Sequence, residues 1–240
     1  LIMEKIFNQL SDSLFSELNS DENLILSFYG EKSQFIRFNN ASVRQTGLVD
    51  DADLSLKFIV NNRSVHGGFT VSGNFDTDLA RGQSEIERMR LEAQEIPEDP
   101  FVVFPENAGS SHEIKTADSL PFETAVDALL PAMSGVDFVG IWANGRMFRG
   151  NANNLGQKHW FETESFSLDY SLVTPEHQMV KGSFAGNDWH QIEYESYVKR
   201  SREKLSLMER KPVKIDTGEY RTWFESAAVA DFLGMFSWNG

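Results

Sequence analysis

From Leu24 the hydrophobic period of the chain changes from three-to-four to two, and this change restricts the possible fold more than any other feature. Leu24, Leu26 and Phe28 alternate with Ile25, Ser27 and Tyr29, the pattern of a strand with one buried face. Gly30-Glu31-Lys32 reads as a turn, and Gln34 to Phe38 as a second strand ended by Asn39-Asn40. A third run spans Ser42 to Val49 and stops at Asp50-Asp51. The fourth, Asp53 to Val60, points Leu54, Leu56, Phe58 and Val60 to one side. After Asn61-Asn62-Arg63, Ser64 to Val71 makes a fifth. Short strands joined by polar turns predict an antiparallel meander, one face of which needs cover.

Helices on either side of the meander can supply that cover. Ile6, Phe7, Leu10, Leu14, Phe15 and Leu18 recur at three- and four-residue intervals within Glu4 to Leu18, one apolar stripe. Asp76 to Glu95 is a second helical segment, with Leu79, Ile86, Met89 and Leu91 at apolar positions. Pro97, Pro100, Pro105 and Asn107-Ala108-Gly109-Ser110-Ser111 then mark a surface linker. Beyond it, Leu120 to Met133 is a predicted helix. Val136 to Phe148 reads as a strand pair turned at Asn144-Gly145, the strongest short hairpin signal in the chain. Phe161 to Val173 and Gln178 to Ala185 are predicted strands, Trp189 to Met208 a helix, Tyr220 to Phe224 a short strand, and Glu225 to Phe236 an apolar helix stopping at Ser237-Trp238-Asn239-Gly240. The expected fold is α+β: an antiparallel meander with covering helices, then a second mixed α/β region. The expected organisation is an amino-terminal region over 1–100, a linker over 101–119, a middle region over 120–215 and the start of a truncated carboxy-terminal domain over 216–240. Phe232, Leu233, Met235, Phe236 and Trp238 have almost no chain left to pack against, so the polypeptide is expected to continue past Gly240.

Composition excludes several function classes. The 240 residues contain no cysteine, so disulfides and thiolate metal sites are ruled out. The formal net charge is -14, which disfavours nonspecific binding to phosphate backbones. The one basic stretch, Lys199, Arg200, Arg202, Lys204, Arg210, Lys211 and Lys214, is interleaved with Glu203 and Glu209 and reads as a solvated, ion-paired helix face. No run approaches the roughly 20 apolar residues that span a bilayer, and Leu1 to Lys5 does not open a signal peptide. The expected compartment is the cytoplasm.

The chemistry-bearing motifs fail one by one. Zinc peptidases place two His a helical turn apart with Glu beside the first. Among His66, His112, His159, His177 and His190, only His112 precedes a Glu, and Thr116 and Ala117 stand where a second His would be needed. His190 and Glu193 share a helix face, with Asp188 close, a pair common by chance. Ser134-Gly135 lacks the preceding glycine of a nucleophile elbow. Gly150 to Lys158 superficially resembles a phosphate loop, but Gln157 separates Gly156 from Lys158 and no Ser or Thr follows. His66-Gly67-Gly68 reads as close backbone packing in a strand. Glu162/Glu164 and Glu193/Glu195 are spaced two apart, which on a strand is an exposed face. No catalytic and no metal-ligating residue is assigned, and the residues alone name no reaction.

Four stretches carry a resemblance to the TldD/PmbA family, known also as modulators of DNA gyrase. They are Ser33 to Val49 (SQFIRFNNASVRQTGLV), Ser64 to Thr77 (SVHGGFTVSGNFDT), Gly140 to Gly156 (GIWANGRMFRGNANNLG) and Tyr220 to Gly240 (YRTWFESAAVADFLGMFSWNG). The last is similar to the opening of the carboxy-terminal domain in the PmbA-like branch. The resemblance implies a protein about twice this length, related to metalloproteases. It implies a TldD-like zinc-peptidase branch bearing HExxxH and a PmbA-like branch that lacks it and pairs with the first in peptide degradation and maturation. On that reading this chain is a non-catalytic subunit, with zinc expected only in a TldD-like partner and with peptide substrates or self-association as its interactions. Two alternatives stay open: a metal-independent binding or scaffold protein of the same fold, and a self-sufficient metallopeptidase whose ligands lie beyond Gly240.

Overall fold

The computed structural model describes residues 2–237. Its elements are α1 (Ile2–Phe15), β1 (Asn23–Asn39), β2 (Ser42–Val60), β3 (Arg63–Thr70), α2 (Phe75–Glu95), β4 (Ser111–Lys115), α3 (Phe122–Met133), β5 (Asp137–Asn153), β6 (Lys158–Val173), β7 (Met179–Gly186), α4 (Gln191–Met208) and α5 (Ser226–Ser237). Seven strands form one sheet in the order β3-β2-β1-β5-β6-β4, with β7 also paired to β6. All pairings are antiparallel except β4 with β6. The fold is α+β, a meander of strands covered by helices.

Asn residues set both turns of the meander. Asn40 and Ala41 join β1 to β2 at φ 50° and 51°, and Asn61 and Asn62 join β2 to β3 at φ 49° and 54°. Positive φ at both central residues is what a tight hairpin between right-twisted strands demands, and Asn tolerates it.

The strands are longer than the sequence pattern predicts. The expected turns at Gly30-Glu31-Lys32 and Asp50-Asp51 do not exist. β1 and β2 run straight through them, paired as Gly30 with Ala52, Glu31 with Asp51 and Lys32 with Asp50. The hairpin expected at Asn144-Gly145 is likewise absent, because β5 continues through it between β1 and β6. The real hairpin follows at 154–157, where the Asn153 side chain accepts from Leu155 N at 3.0 Å and Gln157 N at 3.3 Å. The stretch from Gly150 to Lys158 is therefore the end of β5, this turn and the first residue of β6. Tyr220–Phe224 is not a strand, and β4 lies inside the segment read as linker. α5 runs to Ser237; Leu1 and the predicted stop over Trp238, Asn239 and Gly240 lie outside the described residues.

One face of the sheet carries two separate cores. Leu24, Leu26 and Phe28 of β1 join Leu54, Leu56 and Phe58 of β2 under α1 and α2, which contribute Phe7, Leu10, Leu14, Ile86 and Met89. Phe7, Phe28 and Trp160 pack with ring centroids 5.6 to 5.9 Å apart. Further along the same strands, Ile36, Phe38, Phe138, Trp142, Leu168 and Tyr170 lie under α3 and α4, which add Leu129, Met133, Tyr194 and Val198. Buried residues sit at even positions along β1, β5 and β6 in both cores, so the side-chain period of two puts both on the same face. β1 and β5 pair without interruption from one core to the other, and the regions on either side of residues 101–119 share this single sheet. Among the described residues, no helix is long and apolar enough to cross a membrane.

Candidate functional site

Where the first helix pair ends and the second begins, the helix-side face of the sheet has no apolar cover. The residues there are charged. Register places Asp50, Lys32, Arg146 and Glu164 side by side across β2, β1, β5 and β6. Lys32 Nζ lies 3.3 Å from Asp50 Oδ2 and Arg146 Nε 3.5 Å from Glu164 Oε2. One step along β6, Glu162 Oε1 accepts from Arg146 Nη1 at 3.0 Å. Lys32, Asp50, Arg146 and Glu162 floor a cleft of about 830 Å³. Its walls come from the start of α1 (Met3, Ile6), the loop before α2 (Val71, Ser72, Gly73), Ile114 of β4 and Phe148 of β5.

The cleft wall is held by a buried carboxylate. Asp78, fully buried in the first turn of α2, accepts from Ser72 N and Ser72 Oγ at 2.8 Å and from Gly73 N at 3.0 Å. A carboxylate at a helix amino terminus also meets the positive end of the helix dipole. Asn74 caps the same helix by accepting from Thr77 N at 3.0 Å.

Glu162 overturns its sequence reading. The Glu162/Glu164 pair was expected on an exposed strand face, yet both side chains point to the helix side, and Glu162 is only 4% exposed. Its Oε2 is shielded from water and has no hydrogen-bond partner among the described residues. Three more partnerless buried polar atoms, Trp142 Nε1, Asn144 Oδ1 and Trp160 Nε1, lie on the same face of β5 and β6. Lys32, Asp50 and Arg146 carried no sequence signal as site residues, since only the register brings them together.

A second feature adjoins the cleft. β3 covers the outer side of β2 only from Asp53 to Val60, and a last rung joins Val71 N to Ala52 O at 2.7 Å. Among the described residues nothing pairs with the outer side of Ser42–Asp51. Leu48 faces the helix side there but is 77% exposed, because no helix reaches it. The edge ends at Asp50 and Asp51, which also line the cleft.

The remaining candidates are structural or solvent-facing. His112 lies on β4, with Nε2 3.0 Å from Glu4 Oε1. His159 bonds Ser111 and Gln157. His190 is the N-cap of α4 and is exposed, as are Glu193 and Glu195, while Asp188 accepts from Asp118 N at 2.8 Å. A Cβ on Gly68 would lie 2.9 Å from Leu54 O, so the His66-Gly67-Gly68 stretch does pack backbone against backbone. In the basic stretch, Arg202 bonds the carbonyls of Ala132 and Ser134, Lys204 pairs with Glu225, and Arg200 lies over the Tyr197 ring. Burial raises the Tyr170 hydroxyl to about 12, opposed by its hydrogen bond to Ser201, and burial raises Tyr194 as well. Both hydroxyls serve the second core.

No protein-family model matches the sequence, and no curated protein is similar to it in sequence. Solved structures are similar in fold. A proposed DNA-gyrase modulator from Thermotoga maritima superimposes with a TM-score of 0.64 at 15% identity, over 87% of this chain and 50% of that one. Another from Bacteroides thetaiotaomicron gives 0.64 at 13% identity, over 90% and 52%. TldE from Thermococcus kodakarensis gives 0.57 at 15% identity, over 86% and 47%. The chain thus spans about half the length of the solved proteins it matches. Its fold is that of the gyrase-modulator and TldE structures, the same group that its sequence motifs resemble.

Proposed function

We propose that this chain is a non-catalytic, peptide-binding part of a TldD/PmbA-type metalloprotease system in the cytoplasm, working beside a zinc-bearing TldD-like subunit. The observation that carries the reading is the free outer side of Ser42–Asp51. An extended peptide adds to such an edge through backbone N–H and C=O groups alone, so affinity does not depend on its sequence. Ten residues at about 3.3 Å each give an edge of roughly 33 Å, long enough for a peptide of comparable length. Natural edges of this kind are usually blunted. Here only Arg44, Asp50 and Asp51 provide charge, and the register slip between Arg37 and Phe38 leaves Arg44 unopposed. The sequence lacks HExxxH, which fits a role in holding peptide for hydrolysis on a partner.

Hydrogen exchange with and without an unfolded peptide tests this directly. Added protection confined to Ser42–Asp51 is expected. Unchanged exchange there sinks the reading. Mixing with a TldD-like zinc peptidase separates it from the scaffold alternative: a peptidase subunit raises peptide turnover by its partner, and a free-standing scaffold leaves turnover where it was.

A further inference from the structure

We propose that the cleft between the two helix pairs binds a small amphipathic amine, with a protonated amino group on an apolar body. The argument begins at Glu162. Its side chain is 96% buried, being 4% exposed, and it lines the cleft. One carboxylate oxygen is taken by Arg146; the other, Oε2, has no partner among the described residues. An ionised carboxylate accepts at both oxygens, and a buried acceptor left unpaired is costly. Oε2 is closed to water-sized contact, so a donor reaches it through a small turn of the Glu162 side chain toward the cleft it lines, and there meets an acceptor with no competing bond to surrender.

Charge selects the kind of donor. Among the described residues the cleft holds two cations, and both are engaged: Lys32 by Asp50, Arg146 by Glu162 and Glu164. Asp51 lines the same cleft without an ion-pair partner among the described residues. Among the described lining residues Asp50, Asp51 and Glu162 stand against Lys32 and Arg146, so the negative groups exceed the positive by one. An anion would have to displace existing pairs, whereas an ammonium group completes the balance. The walls select the rest of the ligand. Met3, Ile6, Val71, Ile114 and Phe148 give the cleft an apolar lining. Its volume of about 830 Å³ lies within the roughly 300–1,000 Å³ range of small-molecule sites. An apolar body with a single cationic end therefore fits where a sugar or a nucleotide does not.

This site shares only Asp50 and Asp51 with the free edge at Ser42–Asp51 and takes a different ligand, so either reading can fail without the other. The probe is 2-phenylethylammonium, with 3-phenylpropionate as the matched anion, each titrated into the whole chain and followed by amide NMR. Saturable shifts at Lys32, Asp50, Ser72, Gly73, Arg146 and Glu162 are expected for the amine, with a dissociation constant of about 1 mM or tighter. The anion should bind at least about tenfold more weakly. Glu162→Gln keeps the shape and removes the charge, and is expected to weaken the amine about tenfold or more. Should that variant fail to fold, Ile114→Trp decides, since it crowds the apolar wall from a partly exposed edge strand and should weaken binding to a similar extent. The proposal is overturned by any one of three results: no saturable shift at these residues, equal affinity for the anion, or full amine affinity in a folded variant.

Discussion

Two residues test the chemistry on which the sheet depends. Glu22 sits in the loop between α1 and β1, 6% exposed, and Arg90 of α2 donates to both its oxygens at 2.7 Å. Burial alone would raise the Glu22 carboxyl, but hydrogen bonds from Arg90 and then Asn19 outweigh it and hold the group below 4.5. A lowered folded value means that the unfolded chain takes up the proton first as pH falls. The stabilisation is thus complete above 4.5 and is lost as pH drops through the folded value. Glu22→Gln is expected to cost about 2 kcal/mol at neutral pH. In urea unfolding across a pH series, the gap between wild type and variant should close on the acid side; a constant gap would refute the ionic account. Gly145 tests space instead. Its φ is not positive, but an added Cβ would fall 2.4 Å from both Lys32 O and Ser33 Cα. That backbone cannot retreat as a side chain can. Gly145→Ala is expected to lose at least about 2 kcal/mol, measured as the shift in urea midpoint at constant slope.

At the scale of elements, what could be read from the sequence and what could not divide along one line. α1 announced itself through three- and four-residue spacing, α2 and α4 were expected as helical segments, and the turns of the meander were marked by Asn39-Asn40 and Asn61-Asn62. The predicted breaks at Gly30-Glu31-Lys32, Asp50-Asp51 and Asn144-Gly145 failed together, and for one reason: Lys32, Asp50 and Arg146 form a single row of the sheet. Polar residues and glycine normally signal a turn because the chain is leaving its apolar cover. Here the cover leaves the chain, in the gap between two helix pairs. A local window cannot distinguish those cases, and cross-strand register can. The cleft stayed hidden from sequence for the same reason, its charged residues being spread over positions 32 to 162. α5 makes the opposite case, since its existence was predicted but its packing is slight. No residue of α5 is buried, and the preceding segment is tied to α4 by the pair of Lys204 with Glu225. Its amides are therefore expected to exchange orders of magnitude faster than those of β1 and β5. Protection in α5 equal to that of the central strands would show that it is anchored more firmly than these contacts allow.

At the scale of the whole molecule, the question is whether two cores under two helix pairs make one cooperative unit or two. The polar row separates the cores, and among the described residues none belongs to both. Side-chain packing alone would therefore let either melt without the other. The backbone argues the reverse. β1 and β5 are paired continuously from Ile25 opposite Asn153 to Phe38 opposite Gly140, and β5 with β6 from Asp137 to Ala152. Unzipping half of this ladder strands the N–H and C=O groups at the break beside a packed core, where unpaired backbone is costly. The ladder should then transmit instability that the side chains do not. Phe28→Ala removes a ring fully buried in the first core, at an expected cost of about 3–5 kcal/mol. Each core has one fully buried Met, Met89 in the first and Met133 in the second, so their methyl NMR signals report on each separately during urea unfolding. If the sheet couples them, both midpoints fall together and by the same amount, as two-state behaviour requires. A Met133 midpoint that stays in place while Met89 moves would mean that the polar row is a true boundary. The cleft would then lie between two independently stable halves, able to widen or close as they shift.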